Sequence, residues 1–113
     1  MQPEARKFLF DVRRAAGLIV GFCADRTFED YVGDDMLKSA VERQFGVIGE
    51  ALARLANTEL AVAEQVADYR RIIAFRNILV HGYATVDDRI VWGVVEASLP
   101  ELMKSVDGLL ARD

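Results

Sequence analysis

Histidine and cysteine occur once each in this chain of 113 residues, tryptophan once and proline twice. A single cysteine, Cys23, excludes an intrachain disulfide. One histidine and one cysteine cannot furnish the usual ligand clusters for zinc or another transition metal, so no metal is expected. Nothing in the sequence asks for a cofactor. No apolar run approaches the roughly 18 residues of a membrane span. There is no basic run, and the net charge is −4. Broad electrostatic capture of a nucleic-acid duplex is therefore not built in, although a local basic site remains compatible. The opening Met1-Gln-Pro-Glu4 lacks the basic and apolar regions of a signal peptide. The expected setting is cytoplasmic, away from membranes.

What is present is an ordinary globular balance, 52% apolar and 28% charged. A chain of this size can bury one core, and residues 1–113 are expected to form a single domain. The periodicity is helical almost throughout. Phe8, Val12, Ala15, Ile19 and Phe22 recur at helical spacing and place a first helix at about Pro3–Cys23. Pro3 suits its first turn, and Cys23 lies on the apolar stripe as a small hydrophobe. Residues Asp25 to Gly33 form a polar connection. A second helix, capped by Asp34 or Asp35, continues to about Ala56 on the stripe Leu37, Val41, Phe45, Ile48, Leu52 and Leu55. Gly46, Gly49, Ala53 and Ala56 make a second stripe of small groups. Each glycine costs about 1 kcal/mol relative to alanine, which points to close approach of another helix or to simple tolerance. Glu50 and Arg54 are an i,i+4 pair, with Arg43 two turns below on roughly the same face.

A short helix at about Glu59–Val66 leads to Asp68, a candidate cap for a helix running from about Tyr69 to Val80 or His81. Gly82 is placed to end it in a left-handed conformation. In the last segment, capped by Asp87 or Asp88, Val91, Val95, Leu99, Leu102, Val106 and Leu109 keep one phase across Pro100. One helix kinked at that proline fits this better than two helices, with a fresh start capped by Ser98 as the alternative. The fold class is therefore all-α: an antiparallel helical bundle of four main helices and one short helix.

The chemistry concentrates in Arg71-Ile-Ile-Ala-Phe-Arg-Asn-Ile-Leu-Val-His-Gly-Tyr83. Positions 72–80 are apolar except for Arg76 and Asn77, so the run should be buried. Arg76, Asn77, His81 and Tyr83 together supply a cation, an amide, a base and a phenol, a set suited to a phosphate ester. Cleavage of RNA by its own 2′-hydroxyl needs a base, an acid and a cation, but no metal. Histidine suits both proton steps near neutrality, yet only one is present. Asn77 and His81 share a helix face, whereas Arg76 and His81 stand about 140° apart. Either the helix loosens at Gly82 or two chains build the site. A plainer reading stays open: His81 as a helix cap, Arg76 in a buried ion pair with a partner such as Glu50, and Tyr83 as packing.

At these residues the sequence resembles a known family. Arg76-Asn77-x-x-x-His81-x-Tyr83 is similar to the R-x4-H-x-Y signature of HEPN-domain toxins of the HepT type. Ala40-Val-Glu-Arg43 through Val47-Ile-Gly-Glu-Ala51 resembles that family's central helix. Tyr69 through Asn77 resembles the approach to its motif, and Val86-Asp87, Val91-Trp92 and Leu99-Pro100 its last helix. Tyr69 stands where tryptophan is expected, and Ala84 where an aromatic often follows the tyrosine. The resemblance implies a homodimeric HEPN bundle and a metal-independent endoribonuclease that leaves 2′,3′-cyclic phosphate ends. It would be the toxin of a type VII-like toxin–antitoxin pair. Arg76 would neutralise the phosphate, His81 would transfer protons, and Asn77 would orient the imidazole or the RNA. Tyr83 would receive AMP from a cognate minimal nucleotidyltransferase of the MntA type, which silences the nuclease. The alternative is a non-catalytic subunit of a two-component nucleotidyltransferase that binds nucleotide or substrate.

Overall fold

The structure, a computed structural model, describes residues 1–82 and 86–112. Within them the order is α1 (Pro3–Cys23), α2 (Phe28–Val32), α3 (Asp35–Thr58), α4 (Leu60–Ala63) and α5 (Tyr69–His81). There follow α6 (Asp88–Gly93), a π-helical turn (Val94–Ser98) and α7 (Leu99–Ala111). The expected all-α bundle is what forms. No helix is long and apolar enough to cross a membrane among the described residues.

Helix α3 is the spine. Asp34 caps it by accepting from Leu37 N at 3.0 Å, and its stripe Leu37, Val41, Phe45, Ile48, Leu52 and Leu55 is buried along its length. It packs against α1 on one side and α5 on another, and α7 lies on α1. Neighbouring helices run antiparallel. The start of α1 meets the end of α3 through Gln2 N donating to Glu59 Oε1 at 3.1 Å. The same end of α1 meets the end of α7, where Arg6 Nη1 donates to the carbonyl of Leu110 at 3.3 Å. Farther along, Arg13 Nε donates to Asp107 Oδ1 at 2.6 Å. Edge-on packing of Phe45 against Phe75, centroids 5.1 Å apart, ties α5 to α3.

Four expectations need correction. First, the stretch after Cys23 is not only a connection, because Phe28–Val32 is helical and adds a short helix besides α4. Thr27 Oγ1 accepts from Asp30 N at 3.1 Å while Asp30 Oδ2 accepts from Thr27 N at 2.9 Å. That reciprocal capping box satisfies two donors at once. It turns Tyr31 inward, fully buried, against Trp92 at 5.4 Å. Second, Asp68 occupies the cap position of α5 with φ of 59° but makes no side-chain cap bond. Third, Gly82 ends α5 with φ of −94°, not in the left-handed region. Its N–H continues the helical pattern to the Ile78 carbonyl at 2.7 Å, and a Cβ there would crowd the same oxygen at 2.6 Å. Fourth, the run 72–80 is not buried throughout: Ile72 and Phe75 are, but Ile78 and Val80 are 58% and 45% exposed.

The last helix does run through Pro100, and Ser98 does not cap a new one by its side chain. A proline removes an N–H and its ring presses on the carbonyl four residues earlier, here that of Glu96. The wider π turn over Val94–Ser98, closed by Leu99 N donating to the Val94 carbonyl, sits just ahead of the proline. Helical backbone thus continues on both sides, and Val91, Leu99, Leu102, Val106 and Leu109 all reach the core.

Loss of the box in Thr27→Ala is expected to cost about 1 kcal/mol, read as a lowered denaturant midpoint with an unchanged m-value.

Candidate functional site

Arg76 is placed by an absence on the facing helix. A Cβ at Gly49 would overlap the Cβ and Cγ of Arg76. Only glycine lets α5 approach α3 this closely, so the helix cost of Gly49 is offset by a contact. Gly46, one turn earlier, is different, because a Cβ there meets nothing within 4 Å.

With its stem against Gly49, the Arg76 guanidinium reaches Glu50. Nη2 donates to Glu50 Oε2 at 2.9 Å, and Nη1 donates to Asn77 Oδ1 at 2.9 Å. Nε is buried without a hydrogen-bond partner among the described residues. The side chain is 25% exposed, so this is a half-covered ion pair rather than a core one. Glu50 is shared, since its Oε1 accepts from Arg54 Nε at 2.9 Å. The hydrogen bond from Arg54, then the charges of Arg54 and Arg76, hold the Glu50 carboxyl below the ordinary glutamate range against the opposing pull of desolvation.

These groups line a groove of about 470 Å³ between three helices. Helix α3 contributes Arg43, Gly46, Val47, Glu50, Ala51 and Arg54, which is one helical face. Helix α1 adds Lys7, Phe8 and Asp11, and α5 adds Arg76 and Val80. Four cations therefore face two carboxylates in a chain whose net charge is −4. Lys7 pairs with Asp11 at 2.9 Å.

His81 does not join this groove. It is the exposed last residue of α5 and makes no side-chain hydrogen bond among the described residues. Ala74, Asn77, Ile78 and His81, at helical spacing, form an outward face of α5 and are all exposed. Within one chain Arg76 thus turns toward α3 while His81 looks outward. Asn77 lies between them, held by Arg76. Tyr83 lies outside the described residues. The Arg76–Glu50 pair of the plainer reading exists but is not buried, and it leaves the arginine at the groove surface. Lys7 and Asp11 carried no sequence signal for the groove, because only the packing of α1 on α3 brings them there.

Two consequences are measurable. Gly49→Ala should destabilise the fold by about 1–3 kcal/mol through overpacking, while Gly46→Ala should stabilise it by up to about 1 kcal/mol. Opposite shifts in thermal midpoint would establish the distinction. A depressed carboxyl contributes stability that is complete above its unfolded value, about 4.3, and that disappears as pH falls through its folded value. Glu50→Gln should therefore cost at most about 1 kcal/mol near neutrality, given the exposure of the pair, and the difference from wild type should close in acid. Chemical denaturation at both pH values reads this.

Comparison with known proteins places this chain in a family. Residues 12–108 match the model of the family described as "Ribonuclease HepT-like". A Thermococcus cleftensis protein named "Probable ribonuclease HepT" is 30% identical over 102 residues, covering 90% of this chain and 92% of its own length. A Methanocaldococcus jannaschii protein named for RNase activity is 27% identical over 104 residues, covering 92% and 94%. Another so named, from Caldanaerobacter subterraneus, is 33% identical over 87 residues, covering 77% of each chain. No solved structure is a significant match. By the family match and by these relatives, the chain belongs to the HepT-like ribonucleases.

Proposed function

We propose that the protein is a metal-independent endoribonuclease that works as a homodimer and serves as the toxin of a toxin–antitoxin pair in the cytoplasm. The observation that carries the reading is the division of α5. Arg76 is held at a groove by Glu50, and His81 stands on an exposed outer face beside the apolar Ile78. Two such faces apposed across a two-fold axis would bury Ile78, bring two imidazoles together and supply the second proton-transfer group that one chain lacks.

In this reading one His81 takes the proton of the 2′-hydroxyl and the other protonates the leaving 5′-oxygen. The 2′-oxygen forms a bond to phosphorus as the bond to the 5′-oxygen breaks, leaving a 2′,3′-cyclic phosphate and a 5′-hydroxyl. Arg76 offsets the charge that builds on the non-bridging oxygens. Asn77 orients the imidazole or the RNA. Tyr83, two residues past His81, accepts AMP from ATP in the hands of a cognate minimal nucleotidyltransferase: its phenol oxygen bonds to the α-phosphorus as pyrophosphate leaves, and its proton passes to solvent. The added phosphate brings negative charge and bulk to the mouth of the site and competes with RNA for Arg76. The other acceptors are less suited: Tyr31 is fully buried, and the Tyr69 hydroxyl already accepts from Arg70 Nε at 3.0 Å.

The test is cleavage of bulk RNA in excess EDTA by wild type, His81→Ala and Arg76→Ala, with end-group analysis. Wild type should leave cyclic phosphate ends, and each variant should lose at least about a hundredfold in rate while remaining a folded dimer by sedimentation. Undiminished cleavage by His81→Ala removes that assignment. If the unmodified wild type binds nucleotide and leaves RNA intact, the protein is instead the binding subunit of a two-component nucleotidyltransferase. Incubation with ATP, magnesium and the transferase should place the adduct on Tyr83 by peptide mass spectrometry. An adduct confined to Tyr69 would overturn that assignment.

A further inference from the structure

The groove extends well past the reagent arginine, and its far cations have no role in the chemistry above. Arg43 lies on α3 two turns before Glu50, is exposed, and forms no ion pair among the described residues. Lys7 approaches from α1 with its side chain 69% exposed, paired only to Asp11 on its own helix. Pairs this exposed are worth about 0–1 kcal/mol, so Lys7 can exchange Asp11 for another anion at small cost. Gly46 lines the floor of the same groove, and a Cβ there would meet nothing within 4 Å. No internal contact offsets its helix cost of about 1 kcal/mol. The missing side chain does keep the α3 backbone open to whatever enters the groove.

We propose that this groove between α1, α3 and α5 is a binding track for the sugar–phosphate backbone of single-stranded RNA. In it Arg43 and Lys7 hold phosphates flanking the one engaged by Arg76. The inference rests on the ribonuclease reading and adds to it a substrate path and two binding residues. A local strip of cations suits single-stranded RNA because the charge needed is one cation per flanking phosphate. It would also let a chain of net charge −4 engage RNA through a local strip of cations. Three cations on separate elements or turns of one groove make RNA of several nucleotides a better ligand than a dinucleotide.

The test is binding of a fluorescent single-stranded RNA to the unmodified full chain carrying His81→Ala, so that affinity is read without cleavage, across a salt titration. Arg43→Gln and Lys7→Gln should each weaken binding about fivefold to tenfold and lower the slope of log affinity against log salt by about 0.7. Arg43→Lys should retain the slope. Gly46→Leu, which changes no charge, should also weaken binding by filling the floor. Arg14→Gln, an exposed α1 arginine outside the groove, should leave affinity where it was. Equal affinities for wild type, Arg43→Gln and Lys7→Gln would overturn the track while leaving the nuclease reading intact. Equal losses in Arg14→Gln would also overturn it, showing only diffuse charge. A dimer weakened by Arg43→Gln with RNA affinity per dimer unaltered would assign the groove to the second copy instead. Absence of RNA binding by the parent protein would remove the nuclease reading and the track together.

Discussion

The closeness of α5 to α3 depends on one missing side chain. At Gly49 the two backbones come near enough for the Arg76 stem to lie on α3 itself, and the neighbouring Phe45–Phe75 contact holds them there. Packing and chemistry are thereby coupled. The residue proposed to meet the phosphate is also the residue that seals the helix pair. Its guanidinium is steered to the surface by Glu50 on one side and Asn77 on the other. A longer stem approach, as a Cβ at position 49 would force, would move the whole motif helix away from the carboxylate that orients its arginine.

The rest of the bundle supports that contact. Helix α3 is long because its stripe is unbroken and Asp34 starts it cleanly. Helix α1 covers its other side, and α7 is brought onto α1 despite a proline near its start. The π turn ahead of Pro100 is the local adjustment that lets one sequence carry both a helix-breaking residue and a continuous apolar stripe. Such turns cost regular hydrogen bonding and persist where burial on either side holds them, as Val91 and Leu99 do here.

Much of this was legible from residue order. The long stripes of α1 and α3 and the i,i+4 pair Glu50–Arg54 follow from spacing and charge, whereas Arg76 with Glu50 is one alternative among others until the fold brings α5 onto α3. The R-x4-H-x-Y resemblance pointed to the family that the comparisons then showed. What was not legible depended on tertiary contacts. Thr27-x-x-Asp30 is a capping box in sequence, but its aspartate replaces the more usual glutamate and the helix it starts has only five residues. The apolar run 72–80 suggests burial throughout because composition cannot tell a core face from an exposed one. Of the two glycines on α3, one meets Arg76 and the other open space, and no local rule separates them. Lys7 and Asp11 entered the groove only through the crossing of α1 over α3.

The shared carboxylate has a consequence for how readily the site can be engaged. A buried arginine paired to a carboxylate of its own would have to abandon that partner to meet a phosphate, leaving an uncompensated charge behind. Glu50 instead holds two arginines through its two oxygens. When an anion draws Arg76 away, Arg54 remains, and the carboxylate exchanges two partners for one instead of being stranded. Engagement of a phosphate by Arg76, as proposed, would then exchange one counterion for another while Glu50 kept its bond to Arg54.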